Sequence, residues 1–331
     1  MAVSIDSIVQ EAIAPFQQKN AIPGVAIAVF DGKEGHILCY GNADLARNIA
    51  VTPDTIFDIA SITKVFTTTD LALQQLRGRL NLEDSVAKYM PRLKFNSAIS
   101  QVRLIDLATH TSSLPRVPPA KAGNYDRAQV VFFLQNWKPK QPIGSKYLYS
   151  NLGIGILGYV LSNIEKKPFE QVIVDDIALP LGMNSTYISI PPMDKNRYAI
   201  GYNKLGRITP EWQPGPWPAG GALKSTARDM LKFLEANLNV SGPEDLRKAM
   251  QLAQQPFFSV HGKLTMGLAW QRFQAAGPLI IDKNGGVPGF SSYIGMMPDR
   301  QIGVVVLMNK GKAHSTAIGR ELLQKLHQEL P

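Results

Sequence analysis

A serine and a lysine stand three positions apart in Ser61-Ile62-Thr63-Lys64, where hydrophobic spacing predicts the start of a helix. At this spacing the two side chains lie on the same face of a helix, about one turn apart. A lysine that is desolvated beside another cation can be neutral and take a proton from an alcohol. The helix N-terminus favours the negative charge that develops on the oxygen. The segment therefore predicts Ser61 as a nucleophile and Lys64 as its acid–base partner.

A second Ser-x-x-Lys occurs at Ser85 to Lys88. It follows Leu82-Glu83-Asp84 and has charged neighbours, so we interpret it as an exposed helix start without a chemical role. Ser61 instead lies in the mostly apolar segment 57–66, where burial of a lysine requires a reason.

Tyr149-Ser150-Asn151 precedes another apolar helix. Ammonium groups near the Tyr149 phenol are expected to lower its pKa, so that it can exchange protons with Ser61. The Asn151 amide can orient Lys64 or contact a substrate amide. The alternative is a buried tyrosine next to a helix-capping asparagine.

A lysine and two glycines stand together in Lys283-Asn284-Gly285-Gly286, directly after the predicted strand Leu279–Asp282. A cation at the edge of a strand can bind a substrate carboxylate. Glycines let a backbone amide approach a ligand closely, as in half of an oxyanion hole. The alternative is a glycine-rich hairpin turn.

The predicted elements leave strands at both ends of the chain and helices in the middle. Helices are predicted at residues 4–18, 61–77, 151–164, 222–239 and 314–329, and loops at 42–60 and 111–124. Strands are predicted at residues 24–30, 36–40, 264–273, 279–282, 291–297 and 302–308. Strands distant in sequence can join one sheet, so we expect an α+β fold with a mostly helical insertion and a cleft between the two parts. The expected domains are residues 1–60 with 240–331 for the sheet, and 61–239 for the helices.

The order Ser-x-x-Lys, Tyr-x-Asn, Lys-x-Gly resembles the motif set of serine β-lactamases and penicillin-binding proteins. The flanking segments Trp217 to Gly221, Lys224 to Met230 and Gly303 to Lys310 are also typical of that group. Over nearly its whole length the chain resembles the class C β-lactamases and their relatives, the DD-peptidases, D-amino-acid peptidases and β-lactamase-like esterases. The resemblance implies a β-lactamase/transpeptidase-like fold with an antiparallel sheet flanked by the N- and C-terminal helices.

The resemblance also implies roles for the motif residues. Ser61 would be acylated, while Lys64 and Tyr149 move protons, and which of the two is the general base stays open. Asn151 would contact the amide of the substrate side chain. Substrate binding would also involve Lys283 and Asn284 at a carboxylate, and the backbone amides of Ser61 and Gly286 in the oxyanion hole.

The chain departs from the class C pattern at several positions of the cleft. Asn284 replaces the threonine of Lys-Thr-Gly, Arg116 lies near the position of a glutamine, and Gly221 replaces a tyrosine. The segment between Trp270 and Lys283 is short, so one rim of the cleft should be open. These changes leave the acylation residues in place but alter the part of the cleft that selects the substrate. We expect a β-lactamase from the resemblance, with a D-Ala-type peptidase or esterase as the first alternative and a penicillin-binding sensor without turnover as the second.

Bulk properties limit the partners. The 331 residues carry a net charge of +9, but the basic residues are interleaved with acids, so a nucleic-acid partner is not expected. The five histidines lack metal-ligand spacing, and we predict no metal and no cofactor. Cys39 is the single cysteine of the sequence, so an internal disulfide is excluded, and its apolar neighbours predict a buried thiol. We expect a monomer without a membrane span that acts on a small-molecule β-lactam, D-peptide or ester. It would be periplasmic in a mature form, or cytoplasmic, because no signal peptide begins the sequence.

Overall fold

The computed structural model describes residues 4–118, 126–274 and 277–330. The strands are β1 (Gly24–Phe30), β2 (Gly35–Asp44), β3 (Ile49–Ala50), β4 (Phe57–Asp58), β5 (Lys224–Ser225), β6 (Phe258–His261), β7 (Leu264–Met266), β8 (Gln271–Phe273), β9 (Ile280–Val287), β10 (Phe290–Met297) and β11 (Ile302–Met308). The helices are α1 (Ile5–Asn20), α2 (Thr63–Leu76), α3 (Val86–Tyr89), α4 (Leu104–Ala108), α5 (Arg127–Gln135), α6 (Asn151–Glu165), α7 (Phe169–Ile173), α8 (Ala227–Asn237), α9 (Glu244–Ala253) and α10 (Ser315–Glu329).

Nine of these strands form one antiparallel sheet in the order β3-β2-β1-β11-β10-β9-β8-β7-β6. The first and last long strands pair at its centre, with Val25 opposite Met308 and Phe30 opposite Gly303. The sheet is therefore built from both ends of the chain, as the sequence predicts, and the α+β class is confirmed.

The central strands are apolar throughout because helices cover both faces of the sheet. In β1, Ile27 and Val29 face α1 and α10, whereas Ala26 and Ala28 face the larger core that includes α2, α6 and α8. This alternation is the two-residue period of a strand with a separate core on each side. It explains why β1 and β11 have the bounds that the sequence predicts.

Several predicted bounds are wrong. The predicted strand 264–273 is two short strands, because Gly267 donates a backbone hydrogen bond of 2.8 Å to the Trp270 carbonyl and Ala269 has a φ of +60°. The predicted loop 42–60 contains β3 and β4. The predicted helix 222–239 begins only after Thr226, whose side chain accepts from Asp229 N and caps α8. Of the predicted loop 111–124, residues 119–124 lie outside the described residues.

The second Ser-x-x-Lys has the structural role that its sequence context indicates. Ser85 caps the N-terminus of α3, where its Oγ accepts from Ala87 N. Lys88 is paired with Asp84 at 2.8 Å on the protein surface.

The assignment of residues 1–60 with 240–331 and of 61–239 to two domains stays a prediction.

Candidate active site

Ser61 lies in a short 3₁₀ turn, Ala60–Ile62, that leads directly into α2. Ala60 has a φ of +48°, a left-handed conformation that costs an alanine energy and has to be held by its surroundings. The turn is held on both sides, since Ser292 Oγ donates to the Ile59 carbonyl at 2.7 Å and Thr63 Oγ1 donates to the Ala60 carbonyl at 2.7 Å. The backbone around the candidate nucleophile is therefore fixed before any ligand binds.

The structure brings Ser61, Lys64 and Tyr149 into direct contact. Ser61 Oγ lies 2.7 Å from the Tyr149 hydroxyl and accepts a hydrogen bond of 3.1 Å from Lys64 Nζ. Lys64 is fully buried, and its Nζ also donates to the Gly220 carbonyl. These distances allow a proton to pass between the three side chains without an intervening water.

Three basic side chains surround the Tyr149 ring. Lys64 Nζ lies 4.9 Å, Lys283 Nζ 5.1 Å and Arg116 Cζ 5.4 Å from the ring centroid. Contacts of this length between a cation and an aromatic ring are attractive. Lys283 and Arg116 also place positive charge around the position where a negatively charged substrate would bind.

Burial controls the charge of the two lysines. Burial lowers the pKa of Lys64 well below the ordinary lysine value, and the nearby cations Lys283 and Arg116 lower this pKa further. Burial likewise lowers the pKa of Lys283 to about 8, against the attraction of Asp282. Of the two lysines, Lys64 is therefore the one whose neutral, proton-accepting form is more strongly favoured, while Lys283 still carries a positive charge at neutral pH.

The expectation that ammonium groups lower the pKa of Tyr149 is wrong on balance. Burial raises this pKa, and the hydrogen bond from Ser61 and the charge of Arg116 offset the increase only partly. The phenol is therefore protonated at neutral pH, and it can donate to a substrate or relay a proton. Sequence reasoning missed the result because the burial of a side chain depends on the complete fold.

Asn151 is the first residue of α6, and its backbone amide donates to the Arg116 carbonyl at 2.9 Å. Its side-chain Oδ1 is buried and has no hydrogen-bond partner among the described residues, so it does not orient Lys64. The Gly220 carbonyl has that role, and sequence reasoning did not assign it. Asn151 lines the cleft beside Ser61, and its unpartnered Oδ1 would accept from a substrate amide that reaches it.

Lys283, Asn284 and Gly286 lie within β9 and not after it. The strand continues to Val287, and the turn to β10 consists of Pro288 and Gly289, so a hairpin turn at Lys283 to Gly286 is excluded. Lys283 is buried, whereas Asn284 and Gly286 are exposed and line the cleft beside Ser61.

Gly285 allows β9 to pass close to the nucleophile. A Cβ at this position would lie 2.4 Å from the Ile59 carbonyl oxygen and 2.9 Å from Ser61 N. Only a residue without a side chain fits between the strand and the turn. Sequence reasoning linked these glycines to a close backbone approach, and the structure shows that the contact is with the 3₁₀ turn.

His110 is a neighbour of the site that the sequence did not single out. It is buried, its ring centroid lies 4.7 Å from that of Tyr149, and its Nδ1 accepts from Ser150 N at 3.2 Å. Burial and the charges of Lys283 and Lys64 lower the pKa of His110 well below its ordinary value. A neutral imidazole therefore packs behind the tyrosine and adds no further positive charge.

Two cavities have Ser61 in their lining. The larger has a volume of about 840 Å³ and runs past Asn284 and Gly286. The smaller, of about 60 Å³, lies beside Asn151 and is lined by Trp212 and Gly221. A substrate can therefore extend to both sides of the nucleophile.

Within residues 4–118, 126–274 and 277–330, no group of three or more His, Cys, Asp or Glu side chains could hold a metal ion. Over the same ranges, none of the helices combines the length and the apolar character that crossing a bilayer requires.

The large antiparallel sheet, the helices around it and the cleft at the start of α2 define a β-lactamase/transpeptidase-like fold. The family model for Beta-lactamase matches residues 9–329. The chain belongs to the β-lactamase family.

Its relatives include the β-lactamase of Lysobacter lactamgenus, which is 30% identical over 92% of this chain and 87% of that protein. The β-lactamase of Escherichia coli K12 is also 30% identical, over 92% of this chain and 89% of the relative. A class C β-lactamase structure aligns with a TM-score of 0.92 at 27% identity and covers 99% of this chain and 96% of that chain. The β-lactamase/D-alanine carboxypeptidase of Pseudomonas syringae aligns with a TM-score of 0.91 at 28% identity, covering 98% and 99% of the two chains.

Proposed function

We propose that the protein is a serine hydrolase of the class C β-lactamase type, which opens β-lactam rings through a covalent acyl-enzyme at Ser61. The observation that carries the proposal is the contact of Ser61 Oγ with both Lys64 Nζ and the Tyr149 hydroxyl, at 3.1 and 2.7 Å. A nucleophile in reach of an amine with a lowered pKa and a phenol with a raised pKa has a base and an acid at the same time.

In the proposed acylation step, neutral Lys64 takes the hydroxyl proton of Ser61. The Ser61 oxygen then attacks the carbonyl carbon of the lactam, and the carbon–nitrogen bond of the ring breaks. The ring nitrogen takes a proton from Tyr149, and Lys64 then passes the proton that it took from Ser61 to the Tyr149 oxygen. The directions of the pKa shifts favour Lys64 as the first acceptor, because its pKa is lowered while that of Tyr149 is raised.

The same geometry supports the binding roles that we propose. The backbone amides of Ser61 and Gly286 would hold the developing oxyanion. Lys283 would attract the substrate carboxylate with help from Asn284, and the unpartnered Oδ1 of Asn151 would accept from the side-chain amide. Deacylation would use a water that is deprotonated by Lys64, or by Tyr149 after Lys64 has taken the phenol proton.

A D-Ala-type peptidase or esterase is the second candidate. Two observations favour it: the cavity beside Ser61 is wide, and a structural neighbour is named as both a β-lactamase and a D-alanine carboxypeptidase. The exposed Asn284 in place of a threonine would alter how a carboxylate is held. A periplasmic location and a monomeric state stay predictions from the resemblance.

The test is turnover of a chromogenic cephalosporin by the unmodified protein and by Ser61→Ala. Sustained colour that the substitution abolishes is the expected result. A single stoichiometric burst would indicate acylation without deacylation, as in a sensor. Absence of acylation, combined with hydrolysis of D-Ala-D-Ala peptides or short esters, would replace the proposal by the second candidate.

A further inference from the structure

The larger cavity extends well beyond the nucleophile. From Ser61 it reaches two loop segments, residues 203–205 and 311–316. Three exposed basic side chains line this far end, and we call them the basic arm: Lys204, Lys312 and His314. None of them belongs to the motifs from which the proposed acylation chemistry was inferred.

The charge of the cavity is of one sign. Among the described residues that line it, none is an aspartate or glutamate, and neither Lys204 nor Lys312 has a carboxylate within ion-pair distance. Lys224 shows the contrast, because it lies 3.7 Å from Asp58 and 3.3 Å from Glu211. A cleft lined by one sign of charge concentrates counter-ions of the other sign. The unpaired cations therefore point to an anionic ligand.

The two loop segments are tied to each other. Tyr202 N donates to the Asn309 carbonyl at 3.0 Å, and Gly311 N donates to the Tyr202 carbonyl at 2.8 Å. Lys204 and Lys312 follow these backbone bonds by one or two residues, so both start from a fixed position on the same rim. Two lysines on one rim without a neighbouring acid add charge of the same sign, and a bound anion would neutralise it.

The far end of the cavity combines these charges with apolar surface. Leu205 is 69% exposed and lines the cavity together with Pro288. The first turn of α10 contributes Ser315 and Thr316, and the N-terminus of a helix favours negative charge. A ligand that suits this end of the cavity has an apolar substituent that ends in an anionic group.

We propose that the basic arm is a second anion-binding subsite, which selects dianionic substrates with one carboxylate at Lys283 and another anionic group at Lys204, Lys312 and His314. The inference rests on the proposed function, which places the side-chain amide at Asn151 and hence the opposite arm of the substrate at this end of the cleft. Each exposed ion pair contributes little, so the second charge should strengthen binding roughly three- to tenfold at low ionic strength.

The experiment compares two cephalosporins that differ only at the end of the substituent on ring position 3. This substituent ends in a carboxylate in one compound and in a carboxamide in the other. Their dissociation constants are measured by calorimetry on Ser61→Ala, which binds without turnover. The carboxylate compound should bind three- to tenfold more tightly, and 0.5 M salt should reduce this preference. Adding Lys204→Glu and Lys312→Glu should abolish it. Lys263→Glu is the matched control, because Lys263 is exposed in the hairpin between β6 and β7 at the sheet edge, and it should leave the preference unchanged.

Equal affinity for the two compounds would overturn the proposal. So would a preference that survives the double charge reversal, or absence of binding by the carboxylate compound at millimolar concentration. The proposed function is judged separately, by turnover of the carboxamide compound in the unmodified protein. Loss of that turnover and loss of the binding preference are therefore distinguishable results.

Discussion

Gly285→Ala should displace the backbone of the active site without replacing any of the reactive side chains. A Cβ at residue 285 would lie 2.4 Å from both the Ile59 carbonyl oxygen and Ser292 Oγ, and 2.9 Å from Ser61 N. Two of these three atoms belong to the backbone of the nucleophile turn. They cannot rotate away as the end of a side chain would, so β9 and the turn have to separate.

The size of the effect follows from that separation. An ordinary contact begins at 3.4 Å, so a distance of 2.4 Å has to grow by about 1 Å. A displacement of this size between reacting groups costs on the order of 100-fold in rate. Overpacking a core position typically costs about 1–3 kcal/mol of stability. We therefore expect kcat/KM to fall about 100-fold while the protein still folds.

The assay is the rate of acylation by a chromogenic cephalosporin, measured beside urea unfolding. Gly153→Ala is the matched control, because a Cβ there would lie 3.4 Å from Ser150 Oγ and 3.6 Å from Leu107, both ordinary contacts. Gly153 is two residues from Asn151, so the control is also close to the site. If Gly285→Ala kept a rate within about threefold of the unmodified protein, the close approach of β9 would not be what positions Ser61.

Four further predictions concern the ionisable side chains of the site. Lys64→Arg should abolish acylation while the protein stays folded, because an arginine cannot give up its proton; acylation seen by intact-mass spectrometry would contradict a role as base. Tyr149→Phe should lower kcat by about 100-fold or more, the usual contribution of general acid–base catalysis, and a loss below tenfold would assign the proton transfers to Lys64 alone. The Lys283 pKa of about 8 is below its unfolded value, so charged Lys283 opposes folding at pH 7. Lys283→Met should raise the free energy of unfolding by about 3 kcal/mol in denaturant titrations, and a decrease would refute this. The positive charge of Lys283 is lost as pH rises through about 8, so the KM of a carboxylate substrate should increase across pH 7–9, and a flat profile would remove Lys283 from carboxylate binding.

The α+β fold could be predicted because the strands at its centre are continuous apolar runs. β1 and β11 are buried on both faces, so their sequence pattern begins and ends where the strands do. α9 was missed although its pattern is present, since Leu246, Ala249 and Met250 recur at helical spacing and are buried.

Other features of the fold depend on contacts between distant residues. The length of β9 depends on the passage of Gly285 beside Ile59, and the two residues are more than 200 positions apart in sequence. A local pattern cannot show that a glycine-rich segment stays extended when the reason is a neighbour in space.

At the site, residue types and order gave Ser61, Lys64 and Tyr149, which the structure brings together. The partner of Lys64 could not be predicted, because it is the backbone carbonyl of Gly220 and any residue type supplies one. The predicted direction of the Tyr149 pKa shift was wrong for a related reason. Sequence shows which charges could be near, but not how deeply the phenol is buried.

The pairing of β1 with β11 has a consequence for how the protein folds. Val25 and Met308 are partners, so the centre of the sheet closes across almost the entire chain. Contacts so distant in sequence carry a large loop-closure entropy and slow folding. On the ribosome, β1 has no partner on that side until β11 has been synthesised. β10, which supplies the Ser292 bond to the nucleophile turn, is also made late. The emerging chain therefore cannot form the complete cleft around Ser61 until almost all of it has been synthesised.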